Sequence, residues 1–462
     1  MDTLDRPLSI LLSLAILGLA VLLRKLTRSW ATPACLFTMF WFLFTMLPLA
    51  ALYFVPVSPF AVGYIFLACL AFSLPALTSN WQQLLLRNAQ WAPQREAYLD
   101  SPFIRTVFAL CCLTSVAFIL VDLLVQGITL PEMIFNFFES SNTYLELRYE
   151  GDIKVNLFGQ WGLILAYLCV IFGSLVHAGS RSPRLRALVL LMLMLPPILV
   201  MLMQAAKGLF FVAIAILLGG HLIHRLAHDQ RPHVDVRGLA AYAKYIVVAA
   251  PLVLLSFLAR GLYALDDSDA VIERLLAYLG SYAFLHLYAF SDWLMFATGQ
   301  PASMAYDAEP SATLGYFTFI ALFKLLGSTK IVPPGTYDEY FAFASLSPGN
   351  IYTIFRGLIT DFGLPGSLLA LTAMGAIFNA AYKRMLGAAL PAVSVAAMFL
   401  FVQVLYSSYL ISALIYNTAY LVFALSAVIL IANRWLHARR ADERSHSRTH
   451  TDAPLSASAA PR

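Results

Sequence analysis

Long apolar runs alternate along this chain with short polar stretches, and most of the runs are about as long as a helix that crosses a bilayer. A crossing needs about 20 predominantly apolar residues. Eleven runs qualify, near 7–24, 31–54, 59–79, 103–125, 156–178, 186–203, 206–223, 239–259, 365–382, 391–411 and 413–433. The pattern predicts an all-α polytopic membrane protein. Only Gln204–Lys207 separates the sixth run from the seventh, which makes the two a tight hairpin, and Pro196 and Pro197 inside the sixth predict a kink. One polar interruption, 260–350, is far longer than the rest. It contains two further apolar runs, 275–298 and 312–326, joined by a linker that carries Asp307 and Glu309 but no Lys or Arg. A linker without basic residues does not suit the cytoplasmic side, so both runs are read as helices lying on or dipping into the outer face. The segment 131–147, with Pro131, Ile134, Phe137, Phe138, Tyr144 and Leu147, reads as interfacial in the same way.

Composition agrees with the pattern. Hydrophobic residues make up 60% of the chain and charged residues 12%, against roughly 45–50% and 25% in soluble domains. No polar stretch is long enough to build a second core, so residues 1–440 are expected to form one membrane domain. The tail 441–462, rich in Ser, His, Arg, Ala and Pro, has little to bury and is expected to be disordered. The first run has no basic region before it and no clear cleavage site, so it reads as a retained helix. Cys35, Cys69, Cys111, Cys112 and Cys169 all fall inside apolar runs, which implies neither a disulfide framework nor a zinc site.

The net charge of +5 reflects an asymmetry between loops and gives no sign of a nucleic-acid partner. One set of loops carries Arg24, Lys25 and Arg28, then Arg87, Arg95 and Arg105, then Arg181, Arg184 and Arg186. It continues with Arg225, Arg231, Arg237 and Lys244, then Lys383 and Arg384, then the tail from Arg434. The alternate set is poor in basic residues. Segment 126–155 holds Glu132, Glu139, Glu146, Glu150 and Asp152 against Arg148 and Lys154, and the large loop is acidic as well. The positive-inside rule then places the N-terminus and the large loop outside and the C-terminus in the cytoplasm.

That orientation leaves Lys207, Arg260, Arg356, Arg148 and Lys154 at the outer surface, where the rule disfavours cations. A cation at headgroup depth suits an anion, and Arg in particular offers a planar fork for phosphate oxygens. Snorkelling at helix ends accounts for such residues equally well. Lys207 and Arg260 each precede a glycine, Gly208 and Gly261, which lets a ligand approach. In the run 278–293, Tyr278, Tyr282, His286 and Trp293 share one helical face, and Ser281, Tyr288 and Asp292 share an adjacent one. Aromatic faces beside polar groups suit sugar rings, and they also suit an interfacial aromatic belt. His286 and Asp292, ionisable in an apolar run, are candidate general bases or buried structural groups. Gly363, Pro365 and Gly366 break the backbone before the ninth run, with Asp361 at the break, either paired to Arg356 or Arg260 or capping the helix. The chain has no glycine-rich phosphate loop, no HExxH, no catalytic serine elbow, and no acid in the first outer loop, Phe54–Pro59. Neither a metal nor a cofactor is expected.

Three features carry a resemblance to Wzy-type oligosaccharide repeat-unit polymerases, which include the O-antigen polymerases. They are Gln204–Gly208 (QAAKG) at a tight outer hairpin, Arg260-Gly261 before the large loop, and Asn350, Tyr352, Thr353, Asp361, Phe362, Gly363 and Gly366 in an N-x-Y-T…D-F-G-x-x-G pattern. Lys207 stands where the family commonly has Arg. The resemblance implies an enzyme of the bacterial inner membrane with its large loop in the periplasm. Such an enzyme moves a growing glycan from one undecaprenyl pyrophosphate carrier onto a new lipid-linked repeat unit and releases undecaprenyl pyrophosphate. Its partners are those lipid-linked glycans, membrane lipids and a co-polymerase that regulates chain length. On this reading Arg260, Lys207 and Arg356 bind pyrophosphate, and His286, Asp292 and Asp361 are the catalytic candidates. Tyr282, Tyr288, Trp293, Asn350 and Tyr352 contact the glycan. Two other activities fit the same pattern: an O-antigen ligase-like glycan transferase and a transporter of lipid-linked oligosaccharides. Transporters commonly show internal repeats, and none is visible here.

Overall fold

The computed structural model describes residues 4–87, 99, 101–228, 250–259, 262, 267–306, 313–329, 337, 339–343, 346–387 and 390–451. Among them are long helices and no sheet; the one strand-like feature is a single antiparallel bridge between Phe341 and Gly349. The helices are α1 (Asp5–Thr27), α2 (Pro33–Ala51), α3 (Pro59–Leu77), α4 (Pro102–Val125), the short α5 (Leu130–Phe135), α6 (Phe137–Glu150), α7 (Leu157–Gly179), α8 (Pro183–Met203), α9 (Gly208–Ala227), α10 (Ser268–Ala297), the short α11 (Ile320–Leu325), α12 (Thr353–Gly387), α13 (Ala392–Ser407) and α14 (Asn417–Thr451). Among the described residues nine are long and apolar enough to cross a membrane: α1 to α4, α7 to α9, α12, and α14 as far as Arg439.

Local chemistry explains where these helices begin. Proline at the first helical position has no N–H to leave unpaired, and a preceding Ser or Thr side chain accepts from a free N–H of the first turn. Thr32-Pro33, Ser58-Pro59 and Ser101-Pro102 do this, bonding Cys35 N, Phe60 N and Ile104 N. Asn156 caps α7 through Gly159 N at 2.9 Å. Pro196 and Pro197 lie inside α8 without ending it. Hydrogen bonds between helix ends sort them into two sets. At one end, Ser58 N donates to Ser291 Oγ at 2.8 Å, Gln204 to Asp122 at 3.0 Å, and Ile354 N to Ser408 O at 2.7 Å. At the other, Lys383 donates to Pro75 O at 3.0 Å, Ser101 bonds Asn433, and Arg186 donates to Ser180 O at 2.6 Å. Arg24, Lys25, Arg28, Arg181, Arg184, Arg186, Arg225, Lys383, Arg384 and Arg434 belong to this second, basic end. The large loop meets the first end through Ser291 and through Thr313 N, which donates to Thr360 O.

Several expectations change. The run 391–411 becomes α13, only 16 residues long, because the chain turns at Ser408–Leu410 before a 3-10 turn at Ala413–Ile415. The turn exposes Ser408 O to the start of α12, a contact that an unbroken helix would forbid. The run 239–259 lies outside the described residues as far as 249; 250–258 are helical. Run 312–326 yields only the six-residue α11, and run 275–298 forms α10, which packs along α2, α3 and α12 and is buried from Ser281 to Leu294 on its inner side. The segment 131–147 forms α5 and α6, with Ile134 and Phe135 exposed. Of the linker 299–311, residues 307–311 lie outside the described residues. The expected disordered tail is helical in α14 as far as Thr451, continuing a helix already nucleated by the apolar span; residues 452–462 lie outside the described ones.

Candidate functional site

The segment Asn350–Gly366 builds the center of the site. Thr353 has φ +72°, a left-handed conformation that is costly for a β-branched residue, roughly 1–3 kcal/mol. Its hydroxyl accepts from Phe355 N at 3.2 Å, and Ile354 N is held by Ser408 O. This sharp entry turns the chain straight into α12 and aims Arg356 inward. Arg356 is fully buried. Four rings surround its guanidinium carbon: Tyr337 at 3.9 Å from the centroid, Tyr352 at 4.3 Å, Trp293 at 5.2 Å and Tyr306 at 5.7 Å. Glu339 closes the cage, with its two carboxylate oxygens 3.0 and 3.1 Å from one guanidinium nitrogen. Gly357 leaves room for Tyr337, whose hydroxyl would lie 3.3 Å from a Cβ there.

Two carboxylates hold the cage in place. Asp292 accepts from Ser303 N and Oγ at 2.7 Å each, from Met304 N at 3.1 Å and from the Tyr306 hydroxyl at 2.9 Å. It thereby ties the segment after α10 back onto that helix and sets the Tyr306 ring. Asp361 accepts from Thr313 Oγ1 at 2.5 Å, Phe317 N at 2.9 Å and Thr318 N at 2.7 Å, pinning the turn before α11 to α12. Phe317 in turn stacks parallel to Tyr337, with centroids 6.4 Å apart. Asn350 donates to Tyr337 O at 3.1 Å, and Ser281 to Ser347 O at 2.8 Å. Burial pushes the Tyr352 phenol up to about 12 despite the opposing pull of Arg356, and burial drives Tyr306 upward as well. Both phenols therefore stay neutral, with their ring faces toward the guanidinium.

Of the residues singled out in the sequence, Arg356, Tyr352, Trp293, Asn350, Asp292 and Asp361 meet in or around this cage. Asp361 does not pair with Arg356; the peptide N–H groups of 317 and 318 lie nearer and take its oxygens. Tyr288 is removed from glycan contact, because its buried hydroxyl donates to Pro48 O and Leu52 O at the end of α2. His286 is fully buried against Trp41, Phe44 and Tyr409, and its Nε2 lies 2.7 Å from Phe44 O. A carbonyl only accepts, so Nε2 carries the proton, and burial lowers the ring's pKa to about 4. No substrate hydroxyl reaches it there. His286 and Trp293, assigned to one face, diverge: the first faces α2 and the second Arg356. Tyr282 packs edge-on against Phe257. Lys207 is buried at the QAAKG hairpin, where Ala205 takes φ +49°; its ammonium donates to Ser256 O at 3.3 Å and sits 4.0 Å over the Phe257 ring. Arg260 and Gly261 lie outside the described residues.

Sequence reasoning missed Glu339, Tyr306 and Tyr337. They come from parts of the loop with no periodic pattern, and only their folding onto α12 marks them. It also missed Arg6, which donates to Val55 O at 2.9 Å, Leu52 O at 3.0 Å and Leu49 O, serving the free carbonyls at the end of α2. Asp122 was passed over as part of a span. It is buried and accepts from Asn156 at 2.6 Å, Gln204 at 3.0 Å and Gln126 at 3.2 Å, anchoring the hairpin that carries Lys207. Comparison with known proteins gives no match: no family model, no curated protein and no solved structure matches the chain.

Proposed function

We propose that this chain is a glycosyltransferase that polymerises oligosaccharide repeat units carried on undecaprenyl pyrophosphate, at the outer face of a bacterial inner membrane. The observation that carries the reading is Arg356. A fully desolvated guanidinium, caged by four aromatic rings, stands at the bundle end opposite the basic one, within the motif that resembles the polymerases. Donors fixed in a dry site stabilise developing charge strongly, since they need little reorganisation as the reaction proceeds. When a glycan leaves its carrier, that charge develops on the diphosphate oxygen. In this reading Arg356 receives it, with Lys207 a second cation at the same end. The buried Tyr and Trp rings hold the guanidinium in position. The positive-inside rule puts this end outside the cytoplasm, where lipid-linked repeat units are polymerised.

The reaction joins an acceptor hydroxyl oxygen of the new repeat unit to the anomeric carbon of the growing chain. The bond from that carbon to the diphosphate breaks, and its electron pair leaves with undecaprenyl pyrophosphate. The purified protein in detergent, given lipid-linked repeat units, should yield a ladder of products. Arg356→Ala at normal membrane abundance should abolish the ladder, and Arg356→Lys should restore only part of it because the planar fork is lost. Transfer of finished polymer to a lipid A core without a ladder would reassign the chain as a ligase. Lipid translocation without bond formation would make it a transporter.

A further inference from the structure

Among the described residues, Asp292, Asp361 and Glu339 are the carboxylates of this corner. A carboxylate offers about four acceptor positions. Asp292 accepts from four donors within bonding distance, and Asp361, fully buried, accepts from three. Neither is open to a substrate hydroxyl. Asp292 is partly exposed but its acceptor positions are taken, whereas Glu339 keeps acceptor positions free. Its carboxylate turns to one nitrogen of Arg356, and its side chain keeps 16% exposure where that of Arg356 has 1%. Glu339 is thus the solvent edge of the cage, and it occupies an N–H edge of the guanidinium that an incoming anion needs.

We propose that Glu339 is the general base of the transfer, and that the donor's diphosphate releases it by taking its place on Arg356. The inference rests on the reading of Arg356 as the diphosphate site. Two anions compete for one buried cation, and the diphosphate brings more charge and more acceptor oxygens than a single carboxylate. The freed carboxylate remains beside the reacting center. The acceptor hydroxyl gives its proton to Glu339 and its oxygen bonds to the anomeric carbon. The carbon–diphosphate bond breaks, and its electron pair stays on the diphosphate beside Arg356. The base is therefore available only when a donor is bound, which couples deprotonation of the acceptor to occupancy of the donor site. Glu339 lies two residues before a backbone bridge. Phe341 and Gly349 exchange two backbone bonds, of 3.0 and 3.1 Å, and Asn350 holds Tyr337 O.

The test uses the full chain, with inorganic pyrophosphate as the binding probe in detergent and polymer formation in a deletion strain as the activity. Glu339→Gln should bind pyrophosphate at least tenfold more tightly than wild type, because the competing charge is gone. It should also lower polymer formation by about 10²–10⁴-fold, the usual contribution of a general base. Glu339→Asp should keep wild-type affinity and recover part of the polymer. A merely structural Glu339 would not move affinity and turnover in opposite directions. Near-wild-type polymer from Glu339→Gln, or an unchanged pyrophosphate affinity, overturns the proposal. Should Glu339→Gln fail to reach the membrane, Glu339→Asp decides: full polymer from it overturns the assignment, and reduced polymer at unchanged affinity supports it. If Arg356→Lys leaves pyrophosphate binding as strong as in wild type, it is the diphosphate reading of Arg356 that falls.

Discussion

A single residue's chemistry depends here on what it is packed against. Arg356 is charged yet fully buried, a placement that costs several kcal/mol unless the charge is paired. Glu339 and the four ring faces supply that compensation, which is why the loop must fold onto α12 for the helix to begin as it does. His286 shows the opposite outcome. Its neutral ring is held by Phe44 O, and burial depresses its pKa to about 4. In the unfolded chain the same ring takes up a proton near pH 6.5. Between about pH 6.5 and 4 the unfolded state therefore binds more protons than the folded one, and stability falls as the pH drops through that window. Melting temperatures of the purified protein should decline across this range more steeply for wild type than for His286→Gln, which keeps a donor for Phe44 O. Parallel curves for the two proteins would show that His286 is not the group responsible.

At the scale of elements, small residues decide which helices meet closely. A Cβ at Gly375 of α12 would collide with the Phe72 carbonyl oxygen of α3, a backbone atom that cannot swing aside. Space around Gly208 at the start of α9 is open. Gly375→Ala should separate α3 from α12, strain the Tyr64–Ser367 hydrogen bond of 2.6 Å between them, and lower the melting temperature by several degrees. Gly208→Ala should leave the melting temperature near that of wild type. Equal melting of the two variants would mean that the α3–α12 contact yields without cost. The break in α12 is a second device of this kind. Gly363 takes φ +67°, ψ 176°, a region almost closed to other residues, and so divides the motif-bearing first turns from the long span behind them. Arg356 is carried by the short segment before the break, independently of the direction of the span.

Over the whole molecule, the helix ends sort into a basic set and an acidic set that holds the Arg356 cage. The proposed function requires the basic end to face the cytoplasm, the orientation that the positive-inside rule favours. Asp152 and Ser182 are exposed at opposite ends, and the five native cysteines are buried. Asp152→Cys should therefore react with a membrane-impermeant maleimide in intact spheroplasts, and Ser182→Cys only after the membrane is opened. The reverse result would turn the site toward the cytoplasm and remove the proposed function with it.

The sequence by itself determined the elements, because a bilayer forces a crossing segment to satisfy its own backbone hydrogen bonds. Among the described residues, nine of the eleven apolar runs therefore become helices long enough to cross, and Ser/Thr-Pro pairs such as Ser58-Pro59 start some of them. The break at Gly363 was legible for the same reason: its backbone demand is local. Where polar residues of the large loop end up was not local. Glu339 lies 17 residues before Arg356, and Tyr306 lies in another segment again, so no spacing rule links them. Asp361 chose the peptide N–H groups of the 313–318 turn over a nearby guanidinium, and Tyr288 chose the carbonyls of α2 over a ligand. Tertiary structure alone decided these pairings, because a buried charge or hydroxyl takes whichever partner folding brings within bonding distance, and that distance depends on every helix packed around it.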